Sequence, residues 1–448
     1  MRWDETWRSL GPQMLDEMGR LTIADQSAWL QYWRQRALPY PEFVRLLWRM
    51  AVTPRESEAE AYLNDIADIG LLIENLVRHP DDTGWGIAED LFARLLRRRG
   101  PFLESPFLIE ENMGLEQAWM AKRPDVADQE ARNVINREGL SGLMERLVKQ
   151  PIQRDVGGIL PSLWRVSGDL ASYWAGEDPW SLMRLACRWQ AMAADKAPVQ
   201  GLAGWTVEEG DVTRPLDFLR YFQSILQEHL PSIASANPDQ ALTQVYDDGH
   251  IQSLLQYFAR VSLSLKTQDL RWLIAELMVD ALGTVSPSMW EFFSRQTVGV
   301  IDLMTLSTAH RSAGEERHLV WSAWAWGIAA MSVAGYRIAP AIPRGTSRYP
   351  VEDLWVAMEH ADVEASYALA AGLGDAVREL WPLLREEATV LGNPVAIRAV
   401  AAAQAARRLA PPMAGHRLLP AVVSLMAGVR TADLVGDVGR SRSVKRPK

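Results

Sequence analysis

The stretch "HRSAGEERHLVWSAWAWGIAAMSVAGYR", His310–Arg337, places two histidines and two glutamates directly before eighteen residues without a charge. Three structures suit it: a metal-binding helix, a membrane span or a core helix. Glu315 and His318 stand three apart, on one helix face, the spacing with which Glu-x-x-His pairs hold di-iron sites in helical bundles. Such a site needs a second pair and further inward glutamates, and Glu359-His360 are adjacent, so their side chains diverge. Ser312-Ala313-Gly314-Glu315 has the capping-box form, in which Ser312 bonds the N3 amide and Glu315 reaches back to the cap's own N–H. Capping explains the abrupt apolar onset without a metal. Leu319–Tyr336 is marginal in length for a bilayer, and Ser322, Gly327 and Ser332 lower its hydropathy. No positively charged flank accompanies it. The expectation is a central helix surrounded by others, with Trp321, Trp324 and Trp326 filling a core beside a pocket.

The rest of the chain extends this reading. Its 448 residues, 48% of them hydrophobic, supply one large core or two packed ones. A net charge of -9 and a pI near 5.5 argue against broad nucleic-acid or anionic-membrane binding, which needs clustered cations. The single cysteine, Cys187, excludes an intrachain disulfide and a thiolate zinc cluster. The opening "MRWDETWRSL" has no signal-peptide core, so the cytoplasm is the expected compartment.

Asp178-Pro179, Asn237-Pro238, Ser286-Pro287 and Asn393-Pro394 each pair a capping side chain with a proline that fits a first helical turn. In "DPWSLMRLACRWQAMAAD", Leu182, Leu185, Ala186 and Trp189 recur at helical spacing. Similar periodicity runs through "EAYLNDIADIGLLIENLV" and "DLRWLIAELMVDALG", and two-residue alternation is nearly absent. The fold class read from this is all-α, an irregular multi-helix bundle or array around a Trp-rich core. Loops are expected at 150–160, 196–215 and 338–350, where Gly, Pro and Thr concentrate. The expected organisation is an N-terminal helical region over 1–150, a larger one over 151–436, and a basic disordered tail over 437–448.

No Walker loop, Rossmann glycine fingerprint or Gly-x-Ser-x-Gly elbow is present. Asp81-Asp82 and Asp247-Asp248 read as turns or helix starts rather than cation sites. Nineteen tryptophans are many for this length; core volume accounts for most, and flat indoles also suit an aromatic ligand.

Several segments, in order, resemble the questin-oxidase-like family, all-helical proteins that include enzymes opening an anthraquinone ring by oxygen insertion. They are "GGILPSLWRV" (157–166), "GEDPWSLMRLACRWQAMA", "VIDLMTLSTAHRSA" (300–313), "EHADVEASYALAAG" and "LGNPVAIRAVAAAQAA". Thr305, Ala309 and Arg311 fit the family pattern, whereas Pro161, Asp302 and Ala365 stand where it carries histidines. The resemblance implies an oxidoreductase acting on a hydrophobic aromatic molecule, and it names no cofactor. Its catalytic groups in this chain would be His310, His318, His360 and Asp302, with Glu315, Glu359 or Asp362 as ligands or proton acceptors. Trp321, Trp324, Trp326 and Trp355 would line the substrate. The alternative is a non-catalytic helical protein that binds a protein partner or sequesters a hydrophobic small molecule.

Overall fold

The computed structural model describes residues 5–55, 61–77, 82–98, 102–103, 113–150, 159–174, 178–193, 215–231, 233, 237–247, 251–262, 265–308, 313–337, 351–372, 377–410 and 418–443. Twenty α-helices and two single 3-10 turns account for nearly all of them, and the only β-pairing among the described residues is an isolated antiparallel bridge, Arg55 with Phe102. The chain is all-α. It divides into two compact units, Met1–Gln150 with Ile159–Lys196, and Pro151–Gly158 with Ala197–Lys448.

Unit 1 contains α1 (Glu5–Arg20), α2 (Gln26–Arg34), α3 (Tyr40–Val52), α4 (Ala61–Leu76), α5 (Asp82–Leu96), α6 (Leu115–Met120), α7 (Pro124–Val148), α8 (Ile159–Tyr173) and α9 (Pro179–Ala193). Periodicity shows which face of a helix is apolar but not what covers it. The seam expected near 150 therefore does not hold α8 and α9 apart from what precedes them: α8 packs on α4 and α9, and α9 on α7 and α3. Three buried polar contacts fix α9, the Trp119 indole N–H on the Cys187 carbonyl at 3.0 Å, the Trp180 indole N–H on the Asp128 carbonyl at 2.8 Å and the Arg184–Asp128 ion pair at 2.8 Å. Within α7 the chain breaks at Gly139, whose φ of 76° lies where side chains are strained.

Unit 2 contains α10 (Pro215–His229), α11 (Pro238–Asp247), α12 (Gln252–Ser262), α13 (Thr267–Leu282), α14 (Trp290–Ser307), α15 (Ala313–Ala334), α16 (Val351–Glu359), α17 (Val363–Gly372), α18 (Val377–Leu391), α19 (Pro394–Leu409) and α20 (Leu418–Ser443). Helix α13 is buried nearly all round, between α10, α14, α15, α19 and α20. Helix α20 packs on α13, α16, α17 and α19, and its Gly428 lets the Trp290 ring come to 2.3 Å from where a Cβ would stand.

Three of the four capping pairs begin α-helices. Asp178 Oδ1 accepts from the Trp180 amide at 3.2 Å, Asn237 Oδ1 from Gln240 at 3.2 Å, and Asn393 Oδ1 from Val395 at 3.0 Å. Ser286-Pro287 instead opens a 3-10 turn, Pro287–Met289, that leads into α14. Of the expected loops, residues 151–158, 196–214 and 338–350 lie outside the described residues. Helix α20 runs through Ser443, into the stretch read as a disordered tail, and 444–448 lie outside.

The opening stretch is a core helix. From Leu319 to Ala334 every residue of α15 is buried except Trp321, enclosed by α11, α13 and α14. Among the described residues no helix is long and apolar enough to cross a membrane. The capping box falls outside the described residues, which exclude Ser312 and the Glu315 side chain.

Candidate functional site

Two of the residues named by the sequence, Asp302 and His318, lie near the consecutive ends of α14 and α15. Asp302, fully enclosed on α14, lies five residues before Ser307, and His318 five residues after Ala313 on α15. The two helices pack together, so at 1.5 Å per residue both positions stand about 7.5 Å from the adjoining helix ends, at one level of the pair. Asp302 makes protein contacts of its own. The His318 side chain and all of His310 lie outside the described residues.

Around this level the neighbouring charges are paired. Arg271 of α13 forms an ion pair with Glu316 of α15, although burial holds its guanidinium below the ordinary arginine value. The Arg317 guanidinium sits 5.2 Å from the centroid of the half-buried Trp321 ring. The Trp321 indole N–H has no hydrogen-bond partner among the described residues.

The other three tryptophans are placed differently. Trp324 donates to the Leu270 carbonyl at 2.9 Å, stacks on Phe258 at 4.5 Å, and meets Phe218 and Phe222 edge-on. Trp326 donates to Gln296 Oε1 at 2.8 Å. Both rings are core, with their polar atoms satisfied inside the protein. Trp355 is half-buried on α16, which packs on α17 and α20. His360 is exposed just past the end of α16, its Nδ1 2.8 Å from the Val356 carbonyl of its own helix.

Of the seven histidines only His229 and His360 have described side chains, and both are exposed. Among the described residues no group of three or more His, Cys, Asp or Glu is placed to hold a metal ion. Asp81, Asp248 and the side chains of Asp82 and Asp247 lie outside them. Cys187 is fully buried, and burial with the nearby Asp128 charge pushes its thiol well above the usual range, which suits packing and not nucleophilic attack.

Two polar clusters were missed by the sequence reading. In unit 2, Gln223 of α10 donates to Asp280 Oδ2 at 3.3 Å and reaches the Tyr336 hydroxyl at 3.4 Å, and Glu276 is buried in the middle of α13. The available signal was a lone glutamate inside the apolar run "LIAELMV". In unit 1, Glu42, Arg45 and Arg49 line one face of α3 beneath α1, the first two buried as an ion pair. Their i, i+3, i+7 spacing was visible, but it reads equally as a solvated helix face. Compared with known protein families, curated proteins and solved structures, the chain matches none.

Proposed function

We propose that this chain is a non-catalytic helical binding protein that engages a protein partner through its helical surfaces. The observation that supports the reading is that three of the described candidate residues are engaged away from any shared pocket. Trp324 and Trp326 spend their N–H groups within the core, and His360 faces solvent on another helix. A catalytic pocket instead gathers its titratable groups around one reacting atom.

A second reading, an oxidoreductase acting on a hydrophobic aromatic molecule, is favoured by the shared level of Asp302 and His318 and by the family resemblance. There Asp302 would orient a neutral imidazole that moves a proton, with the spare Trp321 N–H fixing the substrate. One set of measurements separates the two. The purified chain is tested for bound metal, flavin or haem, and for oxygen uptake with a hydroxyanthraquinone and a nicotinamide reductant. Its elution from its native source is compared with the 50.2 kDa expected of one chain. The binding reading expects no uptake and elution in a larger assembly. Uptake that Asp302→Ala or His318→Ala abolishes, from a chain eluting alone, overturns it.

A further inference from the structure

Helix α1 packs against unit 1 chiefly through α3, and its inner face lies on charge. A Cβ placed on Gly11 would stand 3.2 Å from Arg45 Nη2, 3.7 Å from Glu42 Oε1 and 3.8 Å from Arg49 Nη1. Three charged side chains thus converge beneath one glycine of α1. Glu42 and Arg45 are almost wholly removed from solvent and pair through Glu42 Oε1, but Glu42 Oε2 and Arg49 Nε, both buried, have no hydrogen-bond partner among the described residues. Among the described residues Asp178, exposed at the start of α9, is the other acidic group near Arg49, and it makes no ion pair with it within 4 Å. Folded proteins rarely leave a buried carboxylate oxygen or guanidinium N–H without a partner, since each loses its hydration for nothing in return.

The cover is itself weakly built. Gly11 is followed by Pro12 inside the helix, and a mid-helix proline removes a hydrogen bond and crowds the carbonyl four residues earlier. Among the contacts that hold α1 down are Met14 and Met18, both fully buried, the Phe102 ring seated against Gly19, and Glu17, whose Oε2 accepts the indole N–H groups of Trp29 at 3.1 Å and Trp33 at 3.2 Å. We infer that α1 is a detachable strap: it closes over the Glu42–Arg45–Arg49 face of α3 and releases as a unit. Release gives that face, and the two stranded polar atoms, to water. Unit 1 thus has two conformations, one with the ionic face of α3 sealed and one with it presented.

Hydrogen–deuterium exchange on the full chain at neutral pH tests this. After correction for intrinsic rates, amides from Met14 to Arg20 should share one opening rate and exchange at least about 100-fold faster than those of α3 from Phe43 to Val52. Ordinary fraying would instead give protection that rises steadily inward. Replacing the ionic pair by apolar residues, Glu42→Leu with Arg45→Met, should slow α1 exchange at least about tenfold, because the closed form then strands less charge. Glu17→Gln, which weakens the tie without touching the ionic face, should speed α1 exchange and leave α3 unchanged. Protection of α1 equal to that of α3 in the unaltered chain overturns the strap, as does a graded profile. So does a response of α3 equal to that of α1 in Glu17→Gln.

Discussion

Glu42 carries a negative charge into a place without water, and burial is the largest influence on its carboxyl, raising it above the usual 4.5 against the opposing pull of Arg45 and Arg49. A raised value in the folded state means that the folded chain holds this proton more tightly than the unfolded one. Its contribution to stability is therefore full below about pH 4.5 and declines as pH rises through the folded value. Glu42→Gln removes this dependence while keeping an acceptor for Arg45. Urea midpoints for both proteins from pH 4 to 7 should show the unaltered chain losing ground to Glu42→Gln as pH rises. The opposite trend would make the ion pair a net stabiliser. The sequence could not announce this residue. Spaced three and seven residues before two arginines, it has the form of an exposed ion-pair ladder, and only the descent of α1 onto that face makes it a buried charge. His360 went the other way: its neighbour Glu359 suggested chemistry, but both finish exposed at a helix end.

At the scale of the element, α1 is a near balance. Burying Met14 and Met18 stabilises by about 1.5–3 kcal/mol each, and leaving two polar atoms unpartnered costs about 1–3 kcal/mol each. The Glu17 carboxylate that gathers Trp29 and Trp33 then decides the sign. Glu17→Ala leaves two indole N–H groups without their acceptor and should lower stability by about 1–3 kcal/mol, read from urea unfolding, with the loss confined to unit 1. An unchanged midpoint would show that Met14 and Met18 suffice. Helix existence was largely legible, because Asn393-Pro394, Asp178-Pro179 and Asn237-Pro238 state a cap and a first turn in adjacent letters. The identity of α15 was legible too, since eighteen uncharged residues with three tryptophans leave no polar face to give to solvent. Partners were not. Nothing in the stripe Leu182, Leu185, Ala186 and Trp189 says that α7 and α3 will cover it.

Across the whole molecule the two units use chain order differently. Unit 1 has its last helix in place by Ala193, whereas α20, on which α13, α16, α17 and α19 all pack, comes from the final residues of unit 2. A chain ended at Ala410 should therefore keep a protease-resistant fragment extending to about residue 196 while unit 2 is digested. Equal resistance of both parts would mean that α20 is dispensable. The same placement bears on synthesis. When the ribosome finishes α9, the stretch through Ser443 that completes α20 is still unmade, on the order of 13–50 s of elongation at ~5–20 residues per second. Unit 1 can fold during that interval. Unit 2 cannot close its core until α20 has been made, so the apolar surfaces of α13 and α17 that await α20 stay open on the nascent chain. A premature stop codon after Leu409 would release a polypeptide with one finished half and one adhesive half, a substrate for chaperones and proteases instead of a shortened but working protein.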